Sequence, residues 1–247
     1  MKPASLELAR LGEWVELLRL KKADLIAIPA DLEEPMLELS SLLDVLQDAS
    51  IGVYLRPHAR AGLLHHLVGA VQAEDVCAQR IQHALSIFEL ALETVAEPVD
   101  APMAATLVAL CAALLRAAHE ELNSDLLPVE HLAADIDDLL RRRSPSSHSV
   151  WTVGTPLRLI RRYGERLAGT AHILDQVGAM LESIANGSPL SGRQIARIEE
   201  AASVYSMSSE RLLHRSVLAM AKRAEGVTVP ARDPCEDDLQ AGEAVLF

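Results

Sequence analysis

The feature that most constrains the fold is a pair of apolar seams with helical spacing. Apolar residues between positions 64 and 95 recur mainly at intervals of three and four: Leu64, Leu67, Val71, Ala78, Ile81, Leu85, Phe88, Leu92 and Val95. A second seam has the same spacing: Ile160, Tyr163, Leu167, Ala171, Leu174, Val177, Leu181 and Ile184. Such spacing lines one side of an α-helix and is typical of helices that pack on helices. Aromatic residues make up only 3% of the chain. We therefore predict an all-α protein, an elongated antiparallel helical bundle with a four-helix-bundle core and extra short helices.

Turn-forming residues divide the chain into predicted helices. We expect helices over 4–23 and 31–49, with a break at 26–30, and then over 57–96, 103–122, 129–143, 155–185, 191–206 and 208–224. Gly187 is placed to end the helix before it. The polar residues 144–149 have the composition of a linker. The predicted domain is a helical bundle over 1–224, divisible into halves 1–143 and 152–224, followed by a flexible acidic tail over 225–247.

Charge and cysteine usage exclude several functional classes. The net charge of −12 argues against nucleic acid as a partner. The basic run Arg141–Arg143 suits the end of a helix, where it complements the dipole. Cys77, Cys111 and Cys235 have no metal-binding or disulfide spacing, which suits a reducing compartment. No signal peptide is recognisable, and the apolar run 101–118 is short for a membrane span. We expect a soluble cytoplasmic protein without a membrane span.

The nine histidines do not form a metal-binding pattern. Metal sites in helical bundles use Glu-x-x-His pairs, and the chain contains none. We therefore predict no metal and no cofactor of its own.

One polar pair in the first seam helix suggests chemistry. Asp75 and Gln79 are four residues apart, so a carboxylate and a carboxamide project from adjacent turns of one face, about 6 Å apart. Glu74 stands where the seam expects an apolar residue, and further polar residues flank the pair: Gln72, Gln82 and His83. A solvated polar stripe without function would show the same pattern, and that alternative stays open.

Acid-x-x-x-amide on a long bundle helix resembles the arrangement of CheZ-type chemotaxis phosphatases. The resemblance implies that Gln79 orients a water molecule for attack on the phospho-aspartate of a response regulator of the CheY type. It implies that Asp75 pairs with a lysine of that regulator, and that the Mg²⁺ belongs to the regulator. Val76-Cys77-Ala78 departs from the family, which has Thr and Gly just before the Gln.

The end of the chain strengthens this resemblance. Phosphatases of this type end in a flexible linker and an acidic, amphipathic segment that binds the regulator. Acidic residues followed by apolar ones close this chain in the same way. The residues implied in partner binding are Gln72, Glu74, Gln82, His83, Asp237, Asp238, Leu239, Leu246 and Phe247. A homodimer paired through the seams also stays open.

A second resemblance points to another functional class. Gln-x-x-Asp-Val-x-x-Gln-Arg-Ile-x-His at 72–83 is similar to a segment of cytoplasmic proteins related to methyl-accepting chemotaxis receptors. Residues 205–214 are similar to a stretch near their C-termini, and Val245-Leu246-Phe247 to their ending. The glycine- and alanine-rich signalling tip of that family is missing here. This resemblance implies a non-enzymatic adaptor that binds signalling proteins through its helical surface.

Overall fold

A computed structural model describes residues 3–47, 57–96, 100–143, 154–202, 205 and 207–223. It is about 94% helical and has no strand in these ranges, which confirms the all-α prediction. The helices are α1 (Pro3–Gln47), α2 (Pro57–Ala96), α3 (Ala101–Arg143), α4 (Gly154–Ala185), α5 (Gly192–Ala201) and α6 (Ser208–Arg223).

The first and third helices are longer than the sequence predicts. We expected a break at 26–30 and a new helix at Pro128, but α1 continues through Pro29 and Pro35, and α3 continues through Pro128. A proline inside a helix costs about 3 kcal/mol. In α1, buried apolar residues lie on both sides of the prolines: Leu18, Leu25, Ile28, Leu32, Met36 and Leu39. Each contributes about 1.5–3 kcal/mol when fully buried, so packing outweighs the proline cost.

The boundaries of α2 and α4 agree with the sequence. Pro57 begins α2 and Ala96 ends it, as predicted. Helix α4 ends at Ala185, after which Asn186 and Gly187 have φ angles of 49° and 71°. Gly187 thus adopts the left-handed conformation that ends helices. Ser191 then caps α5, where its hydroxyl accepts a hydrogen bond from the backbone N–H of Gln194. This turn holds α5 close to the end of α4.

Helix α3 lies at the centre of the packing. It contacts α2 and α4 over long stretches, and α1 packs on the same two helices. Residues on several sides of α3 are buried, including Leu107, Cys111, Leu114 and Leu122. Helices α5 and α6 also contact α3. Helix α4 belongs to the predicted half 152–224, and it therefore packs directly on helices of the predicted half 1–143.

Contacting residues show that neighbouring long helices run in opposite directions. Arg116 pairs with Asp175, and further along α3 Glu130 pairs with Arg161, earlier in α4. The Cys111 thiol donates to the carbonyl of Ala84, whereas the carbonyl of Ala117 accepts from Arg80. Residue numbers thus rise along α3 while they fall along α2 and α4.

The second predicted seam, in α4, is confirmed, whereas the buried face of α2 is turned relative to the first predicted seam. In α4, six of the eight predicted residues are buried, and Tyr163 and Ile184 pack partly buried against the core. In α2, Leu67, Ile81, Phe88 and Val95 are buried as predicted, and the other buried apolar residues are Ile87 and five small ones: Ala70, Ala73, Cys77, Ala84 and Ala91. The buried face of α2 is therefore offset from the predicted one, since four large residues of the predicted seam are only partly buried against the core: Leu64, Val71, Leu85 and Leu92.

One segment of α3 is both long and apolar. Ala101–His131 is long and apolar enough to cross a membrane by length and composition alone, and no other helix in the described ranges is. However, 78% of its apolar window is buried inside the protein. Its apolar side chains are thus covered by neighbouring helices, which is consistent with a soluble protein.

Some predicted features lie outside the described residues. These are the linker 144–149, the tail 225–247, Cys235 and the proposed partner-binding residues Asp237, Asp238, Leu239, Leu246 and Phe247.

Candidate functional site on two faces of helix α2

The outward side of α2 carries a straight stripe of residues at alternating spacings of four and three. Its members are Val68, Gln72, Asp75, Gln79, Gln82, Ser86, Glu89 and Glu93. All are exposed except Gln79, which is half-buried. Because these spacings keep side chains on one side of a helix, the stripe forms a continuous surface along α2.

Asp75 and Gln79 both belong to this stripe. Asp75 is exposed, and Gln79 already interacts with another group of the chain. Beside them Glu74 is half-buried, and burial raises its pKa, with further contributions from the negative charges of Asp75 and Glu33. The surface around Asp75 is therefore acidic and includes a residue of α1.

The later part of the stripe is tied to neighbouring helices. Lys22 of α1 donates to Glu89 at 2.6 Å, and Arg197 of α5 donates to Glu93 at 3.4 Å. Both carboxylates are largely exposed, so each pair contributes less than about 1 kcal/mol. These bonds show that Lys22 of α1 and Arg197 of α5 lie beside the stripe.

The side of the same segment that faces α3 and α6 is buried and polar. Arg80, only 7% exposed, donates to the carbonyl of Ala117 at 2.8 Å and to the carboxylate of Glu121 at 3.0 Å. Its other terminal nitrogen lies 3.4 Å from the hydroxyl of Ser209 at the start of α6. One guanidinium thus joins α2, α3 and α6.

A second polar contact lies one turn further along α2. Nδ1 of His83 is 2.8 Å and 2.9 Å from the two carboxylate oxygens of Glu210, which is 1% exposed. The ring of Tyr205 lies between those of His83 and His214, with centroid separations of 5.3 Å and 5.5 Å. We call Arg80, His83, Tyr205, Glu210 and His214 the buried polar cluster.

Burial shapes the chemistry of this cluster and of the thiols near it. It raises the pKa of Tyr205, helped by the charge of Glu210, and it lowers the pKa of His214. Burial also raises the pKa of Cys77 to about 12, so its thiol stays protonated and unreactive. Nε2 of His214 is buried and has no hydrogen-bond partner among the residues that the structure describes. These properties fit a structural role in holding α6 on α2 and α3.

The predicted site residues divide between the two faces. The stripe brings Gln72, Asp75, Gln79 and Gln82 together, with half-buried Glu74 beside them. His83 lies instead in the buried polar cluster, which does not suit direct contact with a partner. In the described ranges, no group of three or more His, Cys, Asp or Glu residues could hold a metal ion.

The sequence reading missed the roles of Glu210 and His214. The sequence assigned His83 to partner binding and gave His214 no individual role, yet both side chains are buried. One available signal was the spacing of Glu210 and His214, four apart on one side of a helix and therefore able to enter the interior together.

Comparisons with protein-family models, with curated proteins and with solved structures found no match to this chain.

Proposed function

We propose that this protein is a cytoplasmic signalling protein of bacterial chemotaxis or two-component systems, which accelerates dephosphorylation of a response regulator of the CheY type. Its core would be an elongated antiparallel four-helix bundle of α1 to α4. The pairwise contacts of these helices support that architecture. The observation that carries the functional proposal is that Asp75 and Gln79 share the outward stripe of α2.

The proposed role of Asp75 and Gln79 is to position the reacting groups. A regulator carries its phosphoryl group on an aspartate and holds its own Mg²⁺ and lysine. Water attacks phosphorus, the bond between phosphorus and the aspartate oxygen breaks, and the products are aspartate and inorganic phosphate. Gln79 would orient the water through its neutral amide, and Asp75 would pair with the regulator's lysine.

The half-buried state of Gln79 is compatible with this role. A carboxamide has two N–H donors and an oxygen that accepts two hydrogen bonds. An interaction within the chain can therefore fix the side chain while other groups on it bind water. A held side chain also loses less conformational freedom when the partner binds.

A second candidate is the non-enzymatic adaptor. The observation in its favour is that the two stretches similar to receptor-related proteins, 72–83 and 205–214, meet through Arg80 with Ser209 and His83 with Glu210. Residues more than a hundred positions apart thus form one unit.

The decay of acyl phosphate on purified response regulators tests the proposal. We expect the wild-type protein to accelerate decay and Gln79→Ala to abolish the acceleration. Gln176→Ala, on the exposed side of α4, is the matched control and should behave as wild type. Binding of a regulator without any change in its decay rate would instead support the adaptor.

A further inference from the structure

Helix α1 extends the surface around Asp75. Lys22 pairs with Glu89, and the charge of Glu33 acts on Glu74, so both α1 residues face α2. They are 11 residues apart, which is close to three full helical turns and returns the side chain to nearly the same direction. One side of α1 therefore runs alongside the α2 stripe.

Two large apolar residues, Ile26 and Leu37, lie one turn after Lys22 and Glu33 on the same side of α1, because each follows its neighbour by four residues. They are 56% and 65% exposed. Val68, on the α2 stripe, is 44% exposed. Ile26, Glu33 and Leu37 together are called the α1 stripe below. Single exposed apolar residues are ordinary, but apolar residues grouped beside polar ones mark interaction sites.

The charges between these apolar residues are of one sign. Glu33, Glu74 and Asp75 lie close enough for Glu33 and Asp75 to raise the pKa of Glu74. Lys22, the cation on this side of α1, is paired with Glu89. Neighbouring carboxylates repel one another, and a cation supplied by a partner would relieve that repulsion.

We propose that the α1 stripe, together with Val68 and Asp75 of α2, forms a docking surface for a protein face that presents a lysine or arginine surrounded by apolar side chains. This inference rests on the proposed function, since it takes the response regulator as that protein. The α1 stripe supplies affinity and selectivity for the regulator, and Gln79 accelerates hydrolysis of the regulator's acyl phosphate.

Steady-state dephosphorylation and direct binding of the regulator test this division. We expect Glu33→Lys and Leu37→Ala each to raise KM and the regulator Kd about fivefold to tenfold with kcat unchanged, as loss of one well-placed contact does. The controls are Glu165→Lys, an exposed charge reversal on α4, and Leu20→Ala. Leu20 is 69% exposed but lies about 100° or more around α1 from Ile26 and Leu37. Both controls should stay within about twofold of wild type.

The outcomes separate the two proposals. Equal KM and Kd for the α1 variants and their controls, with Gln79→Ala inactive, would overturn the docking surface and leave the phosphatase standing. Weaker binding by the α1 variants, with no acceleration of decay by the wild-type protein, would support the surface and reject the phosphatase. Failure of the wild-type protein to bind any regulator would overturn both.

Discussion

Gln79 and Arg80 are consecutive residues of one helix, about 100° apart around its axis, and they have different physical roles. Gln79 belongs to a stripe of which every other member is exposed. Arg80 is 7% exposed and joins three helices through its guanidinium. The same contrast holds between Asp75, which is four residues before Gln79 and exposed, and His83, which is four residues after it and buried.

The contrast shows that one short sequence pattern serves two purposes. Gln-x-x-Asp-Val-x-x-Gln-Arg-Ile-x-His supplies polar groups to the surface and to the interior. Mutations on the buried face should change stability, and mutations on the outward face should change function. That separation can be tested residue by residue.

The largest effect is expected at the buried polar cluster. Glu210→Ala removes the carboxylate that accepts from His83 and leaves the imidazole buried without a partner. Loss of one member of a buried pair costs about 3–5 kcal/mol in the free energy of unfolding. Urea denaturation monitored by circular dichroism measures it.

An exposed pair provides the control for this variant. Asp175→Ala removes the partner of Arg116, and both side chains are about half exposed. The expected cost is below about 1 kcal/mol. Similar losses for the two variants would mean that the buried face is no more important to stability than the surface.

A smaller effect distinguishes the two neighbouring residues. Arg80→Ala should lower the free energy of unfolding by about 1–3 kcal/mol, because its buried hydrogen bonds are lost. Gln79→Ala should cost about 1 kcal/mol or less, because the side chain is half-exposed although it interacts with another group of the chain. Thermal unfolding of the two variants compares them directly, and a larger loss for Gln79→Ala would contradict the division between faces.

The smallest effect is a pH dependence from His214. Burial lowers the pKa of His214, with a further contribution from the positive charge of Lys222 and opposition from Glu199. The unfolded chain, with a histidine pKa of about 6.5, therefore takes up its proton at a higher pH than the folded protein. Stability should fall as the pH drops below that value.

The matched variants are His214→Leu and His172→Leu. The first should reduce the loss of stability between neutral and mildly acidic pH, measured by urea denaturation at several pH values. His172 is exposed, so its replacement should leave the pH dependence unchanged. An unchanged dependence in His214→Leu would show that other groups are responsible.

The sequence predicted the elements better than their continuity. The spacing of apolar residues and the positions of proline and glycine correctly located α2, α4 and the turn at Gly187, since these signals act within a few residues. Pro29 and Pro128 misled, because a local rule cannot weigh the burial of Leu25, Leu32 or Leu126 against distant helices.

What the sequence determined alone is the helical class and the shared face of Asp75 and Gln79, because both follow from residue spacing. What the tertiary structure decided is which side of each helix is buried. It turned Ala84 and Cys111 toward one another and brought Glu210 to His83. Such contacts join residues far apart in the chain, and their partners are fixed only when whole helices pack.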